Sequence, residues 1–173
     1  MRNFIVGLIT FFSIVACFLF QLNVLNELPL FGVVANIGIV FIVSLGILAG
    51  EKIGVTIGLS YGLIVDIFFG KSLGIYSLLF LLVGFFCGKI SYSFSKDNKF
   101  SIIMISAAVT FIYEIICYLF FVVAYGYELM ILSTIIRIVL ESVYNIFIAS
   151  VFFKPFSFLS DIINKSKSSY YLL

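Results

Sequence analysis

Residues 50–74 read Gly50-Glu51-Lys52-Ile53-Gly54-Val55-Thr56-Ile57-Gly58-Leu59-Ser60-Tyr61-Gly62-Leu63-Ile64-Val65-Asp66-Ile67-Phe68-Phe69-Gly70-Lys71-Ser72-Leu73-Gly74. Glycine recurs at every fourth position, and the ladder reaches back to Gly46. Asp66 takes one rung, between Gly62 and Gly70. On an apolar background this period puts Gly54, Gly58 and Gly62 on one helix face as two overlapping GxxxG units, which lets a second backbone approach closely. Two readings stay open for that face. It packs against another helix of the same chain, or it serves a homodimer or a partner's transmembrane helix. Gly70 and Gly74 bracket a turn, where glycine relieves backbone strain.

Outward from this stretch the chain stays apolar. Of 173 residues, 64% are hydrophobic and 10% charged, and the mean hydropathy is +1.30. Soluble domains are about half apolar and about a quarter charged. The composition excludes a water-soluble enzyme and a disordered chain. A net charge of +2 leaves no basic surface for nucleic acid. The expected fold is an all-α integral membrane protein: one domain of six transmembrane helices at about 4–22, 30–48, 54–69, 73–90, 100–125 and 129–153, each near the length a bilayer requires. Residues 154–173 form a tail that sets Phe158, Leu159, Ile162 and Ile163 on one helical face, the pattern of an interfacial helix.

Basic residues set the orientation, because cytoplasmic loops collect Lys and Arg. With the N-terminus in the cytoplasm, the inner segments carry Arg2, Lys52, Lys89, Lys96, Lys99, Lys154, Lys165 and Lys167, against Lys71 alone outside. Both termini are then cytoplasmic. Ile14-Val15-Ala16-Cys17 imitates a lipoprotein cleavage box, but Phe18-Leu19-Phe20 continues the apolar run past the cysteine. The segment reads as a retained span.

Charges inside spans are costly and are usually paired or functional. Four occur: Asp66, Glu114, Arg137 and Glu141. At 1.5 Å per residue, Glu114 and Arg137 sit about 16 and about 12 Å below the outer surface, close enough in level to pair. Arg137, Glu141 and Asn145 follow one another at one-turn intervals and form a polar stripe. Arg137 is expected to pair with Glu114 and with Glu141. A polar cavity for a solute or proton, and a docking seam, are the alternatives. Three acids face one base, so one carboxyl is left to be protonated or to meet water or a partner. Asp66, nearest the outer surface, is expected to be the most easily hydrated.

Catalytic signatures fail. The chain has no His, so it holds neither a triad nor a histidine metal site. Gly58-Leu59-Ser60-Tyr61-Gly62 matches G-x-S-x-G but lies within an apolar helix. Cys17, Cys87 and Cys117 share no ligand spacing and read as small packing residues. No enzyme activity, cofactor or metal is expected.

The stretch from Gly50-Glu51-Lys52-Ile53-Gly54 through Asp66 to Gly70-Lys71-Ser72-Leu73-Gly74, followed by Leu82-Val83-Gly84-Phe85-Phe86-Cys87-Gly88, resembles the rod shape-determining MreD family. The match covers about residues 45–90. The resemblance implies a scaffold of the bacterial cell-elongation machinery in the cytoplasmic (inner) membrane. It also implies an MreC-like membrane partner and, through it, MreB-like filaments, a RodA-like polymerase and a class B penicillin-binding protein. On that reading the Gly54, Gly58, Gly62, Asp66, Gly70 and Gly74 set supports the fold or the partner contact. The family is similar in helix plan to the substrate-binding components of energy-coupling-factor transporters. A solute-binding membrane subunit for a vitamin or metal is therefore the competing expectation, with Glu114, Arg137, Glu141 and Asn145 lining its pocket.

Overall fold

A computed structural model of the chain describes residues 2–70, 74–91, 99–126 and 131–168. The expected loop residues Lys71, Ser72, Lys96 and Glu128, the start of the sixth span at Leu129, and the tail beyond Ser168 lie outside the described residues. The described residues form six α-helices: α1 (Arg2–Phe20), α2 (Ile37–Ala49), α3 (Glu51–Phe69), α4 (Ile75–Ile90), α5 (Lys99–Tyr125) and α6 (Ile131–Ser168). A π-helical turn, Gln21–Leu25, extends α1. Four stretches are long and apolar enough to cross a membrane: Phe4–Leu25, Glu51–Phe69, Lys99–Ala124 and Ile131–Ser166. The outer surface is apolar, with Phe11, Phe12, Leu63, Ile112, Phe147 and Val151 all exposed. Such a surface requires hydrocarbon, not water, as its solvent.

The bundle is organised around α2. All of its residues from Ile37 to Ala49 are buried. It contacts each of the other five helices. A helix apolar on every side has no wet face to offer and is driven to the centre. At 13 residues it is about 20 Å long, shorter than the roughly 30 Å hydrocarbon layer, so both ends need polar partners within the protein. The Gln21 side chain accepts from Ile37 N at 2.9 Å and donates to Ala35 O at 2.9 Å. The Asn36 side chain caps Ile39 N at 3.2 Å. At the other end, Ser91 Oγ donates to Ile47 O at 2.6 Å and Asn164 Nδ2 to Leu48 O at 3.0 Å.

Three expected boundaries are corrected. The second helix starts at Ile37, not at residue 30. Residues 30–36 are a loop closed by a Leu30–Val33 bridge, and Val33 and Ala35 are buried. Hydropathy reads a buried loop as helix when other side chains satisfy its backbone. The expected Glu51-Lys52-Ile53 loop is already α3, and the connection is Gly50 alone, at φ +90°. The tail is not a separate interfacial helix, at least to Ser168. α6 runs 38 residues through Pro155, about 57 Å. Proline removes the amide that would bond Val151 O but does not end the helix here. Beyond it, Phe156, Leu159 and Ile163 join the core while Phe158 stays exposed.

The closest pairing is α3 against α4. A Cβ built on Gly54 would fall on Gly84 O, one on Gly58 on Phe80 O, and one on Gly84 on Gly54 O. Gly88 lies equally close to Glu51, and Gly46 of α2 faces Cys87 Cβ at 3.1 Å. The helices touch backbone to backbone, so any side chain forces them apart. Gly58→Ala is expected to cost about 1–3 kcal/mol, the usual range for overpacking. Gly7→Ala, where a Cβ meets nothing within 4 Å, serves as control. Thermal unfolding of both variants in detergent checks this.

Candidate functional site

Two polar arrangements lie at the end of the bundle where α3 turns into α4. The first is built on Asp66, which is 1% exposed. Its carboxylate accepts from Tyr76 N at 3.0 Å, from Ser77 N at 2.8 Å and from the Ser77 hydroxyl. Tyr76 and Ser77 are in the first turn of α4, where amides lack helical partners and the helix dipole is positive. Gly74, at φ +104°, opens α4 at a backbone angle that disfavours any side chain. Gly62 lets that first turn settle: its Cβ would meet Tyr76 O at 2.8 Å and Ser77 N at 2.9 Å. Gly70 N closes the end of α3 on Asp66 O at 3.0 Å. The expectation of a hydrated Asp66 is overturned, because α4 covers the carboxylate and supplies its donors. The face of Gly54, Gly58 and Gly62 is likewise filled by α4 of the same chain.

The second arrangement joins α5 and α6. Arg137 Nη2 contacts Glu114 Oε2 at 3.1 Å, with side chains 53% and 11% exposed. The expected Arg137–Glu141 pair does not form. Glu141 is 6% exposed and makes no hydrogen bond or ion pair with any described residue. Asn145 leaves the stripe altogether. Its Nδ2 donates to Thr110 Oγ1 at 2.8 Å, and its Oδ1 accepts from Asn36 N at 2.8 Å. It ties α5 and α6 to the start of α2.

Two adjoining cavities surround these acids. One, of about 290 Å³, is lined among others by Gln21, Asn36, Tyr61, Tyr76, Tyr113 and Glu141. The other, of about 390 Å³, is lined among others by Glu114, Cys117, Tyr118 and Arg137. Asn36, Tyr76 and Tyr113 line both. The Tyr118 hydroxyl is buried here without a hydrogen-bond partner. The tyrosines were not singled out by sequence reasoning, because one aromatic among 32 Phe and Tyr residues (22 and 10) carries no positional signal. Gly84 and Gly88 were noted only within the resemblance, although they are the reciprocal half of the glycine contact. Among the described residues, no group of three His, Cys, Asp or Glu is placed to hold a metal ion.

An apolar exterior and helices long enough for a bilayer define a helical membrane protein. The chain matches the family described as rod shape-determining protein MreD over residues 1–165. It belongs to that family, and with it to the machinery that determines rod shape. Comparisons with curated proteins and with solved structures return no match.

Two substitutions probe the site. Asp66→Ala leaves two first-turn amides of α4 unpaired in a buried place and is expected to cost about 2–5 kcal/mol, more than Asp66→Asn, which retains one acceptor oxygen. Arg137→Ala and Glu114→Gln are expected to be non-additive by about 0.5–1 kcal/mol, a small coupling because the arginine is half-exposed. Unfolding of the single and double variants measures both. Additive losses would remove the ion pair as a source of stability.

Proposed function

We propose that this chain is a non-catalytic scaffold of the bacterial cell-elongation complex. It crosses the cytoplasmic membrane several times and keeps both termini in the cytoplasm. It holds an MreC-like membrane protein. Through that partner it engages MreB-like filaments, a RodA-like polymerase and a class B penicillin-binding protein, and so supports lateral peptidoglycan synthesis. Membership of the MreD family supports the role in rod shape.

Glu141, which has no ion pair among the described residues and lies on the wall of a cavity, supports a contact there. The glycine face, the other candidate for docking, is already occupied by α4. The cavity lies at the Asp66 end, where Tyr76 opens it between α3, α4, α5 and α6. By the distribution of basic residues this is the end away from the cytoplasm. A segment of the partner that leaves the membrane there reaches Glu141 with a basic side chain.

The same pair of cavities favours a second reading, a solute-binding subunit, because spaces of about 290 and about 390 Å³ together lie within the range of small-ligand pockets, about 300–1,000 Å³. A mild-detergent pull-down of the tagged chain from its own membranes, read by mass spectrometry, separates the two. An MreC-like anchor or wall-synthesis enzymes supports the scaffold. A transporter coupling subunit with ATPases overturns it. Within the scaffold reading, Glu141→Gln is expected to lower partner recovery about tenfold or more, as for a broken buried charge pair, and to round the cells while the chain still accumulates. Unchanged recovery and shape would move the contact away from the cavity.

A further inference from the structure

A third concavity lies between α1 and α6, beside Ile37 and Phe41 of α2. It encloses about 390 Å³ and is lined by Ile9, Ala16 and Phe20 of α1 and by Phe152, Leu159 and Ile162 of α6, among others. Its polar atoms are already engaged. Ser13 Oγ donates to Ile9 O at 2.8 Å, and Cys17 Sγ points to Ile37 O at 3.9 Å. A water placed here would find little beyond the Ser13 oxygen, where it needs two to four polar partners, so the groove suits hydrocarbon. Size selects the kind of hydrocarbon. The groove is open along one side, and its space of about 390 Å³ is that of one lipid tail. A flexible acyl chain fills it along its length.

Charge selects the lipid. The Phe20 and Phe152 rings meet 5.2 Å apart at one end of the groove, which leaves Ile9 and Ile162 toward the other. At that second end Lys165 is exposed, one turn beyond Ile162 and on the same side of α6. Asp161, four residues before Lys165, does not engage it, because the one ion pair among the described residues joins Arg137 and Glu114. α1 also begins at this end. We propose that the α1–α6 groove binds one acyl chain of an anionic phospholipid whose phosphate sits at Lys165. Basic residues at the mouth of an interhelical groove recognise acidic headgroups in this way.

The chain contains no Trp, so a single introduced Trp reports its own surroundings. Ile162→Trp and Phe158→Trp place the reporter in the groove. Phe147→Trp places it on the exposed face of α6 outside the groove. Each full-length variant is reconstituted in phosphatidylcholine vesicles containing graded fractions of brominated phosphatidylglycerol or brominated phosphatidylcholine. The groove reporters are expected to be quenched at about fivefold lower mole fraction of the acidic lipid, the preference one lysine at the surface provides. Phe147→Trp is expected to show no preference, and Lys165→Gln to abolish that of the groove reporters. Equal quenching by the two lipids in the groove would mean bulk hydrocarbon alone and would overturn the proposal. Quenching by neither would mean that a protein surface or a second copy covers the groove, and would overturn it as well.

Discussion

The carboxylate of Asp66, seated on the open amides of α4, is the contact on which the rest of the architecture depends. An unpaired carboxylate buried in apolar surroundings costs several kcal/mol. Here it accepts two backbone amides and a hydroxyl, and charge-assisted bonds contribute about 1.5–3 kcal/mol each. The glycine ladder belongs to the same device. Gly62 lets the first turn of α4 come down onto Asp66, and Gly58, Gly54 and Gly84 let the two backbones continue in contact below it. With α4 fixed in this way, Phe80 stacks on Tyr113 of α5, 5.1 Å between centroids, and meets Tyr61 of α3 edge-on at 5.3 Å. Gly46 of α2 then rests against Cys87 and Gly88.

Once Asp66 is satisfied within the fold, the accounting of the remaining charges changes. Glu114 has Arg137. Glu141 has a cavity wall and tyrosines around it, and no base. The excess acid therefore lies between α5, α6 and the start of α2, not in the glycine-rich hairpin. The α3–α4 pair takes up its own aspartate, beside a cavity whose wall carries an acid with no ion pair among the described residues.

α2 shows how the membrane setting reshapes ordinary helix rules. A helix of 13 residues cannot span a bilayer, yet none of its polar ends meets hydrocarbon. Its own N-cap residue Asn36, and Gln21, Ser91 and Asn164 from three other parts of the chain, serve as its caps. In lipid each unsatisfied backbone group is expensive, so these four side chains are structural requirements and not surface decoration. Their positions in the sequence are unremarkable, since a lone Gln or Ser in an apolar run has no local signature.

Composition and hydropathy determine by themselves that this is a helical membrane protein, because apolar run length is a local property that survives in one dimension; the glycine spacing around Asp66 carries only the resemblance to the MreD family, and the match over residues 1–165 establishes membership. The number of helices is legible in the same apolar runs, and helical rise puts Glu114 level with Arg137, which makes their pairing one of the readings the sequence offers. Which face the glycines present to which neighbour, whether Asp66 is wet or dry, where α2 begins and where α6 ends are decided only by the tertiary structure. Each of those depends on a partner distant in sequence. α4's open amides dry Asp66, Asn145 and Gln21 close the loop that hydropathy reads as helix, and the core contacts of Phe156, Leu159 and Ile163 carry α6 past its proline. Glu141 is left without a partner for the same reason: helical spacing offers it Arg137, but one guanidinium turned toward Glu114 cannot also serve an acid on the cavity side.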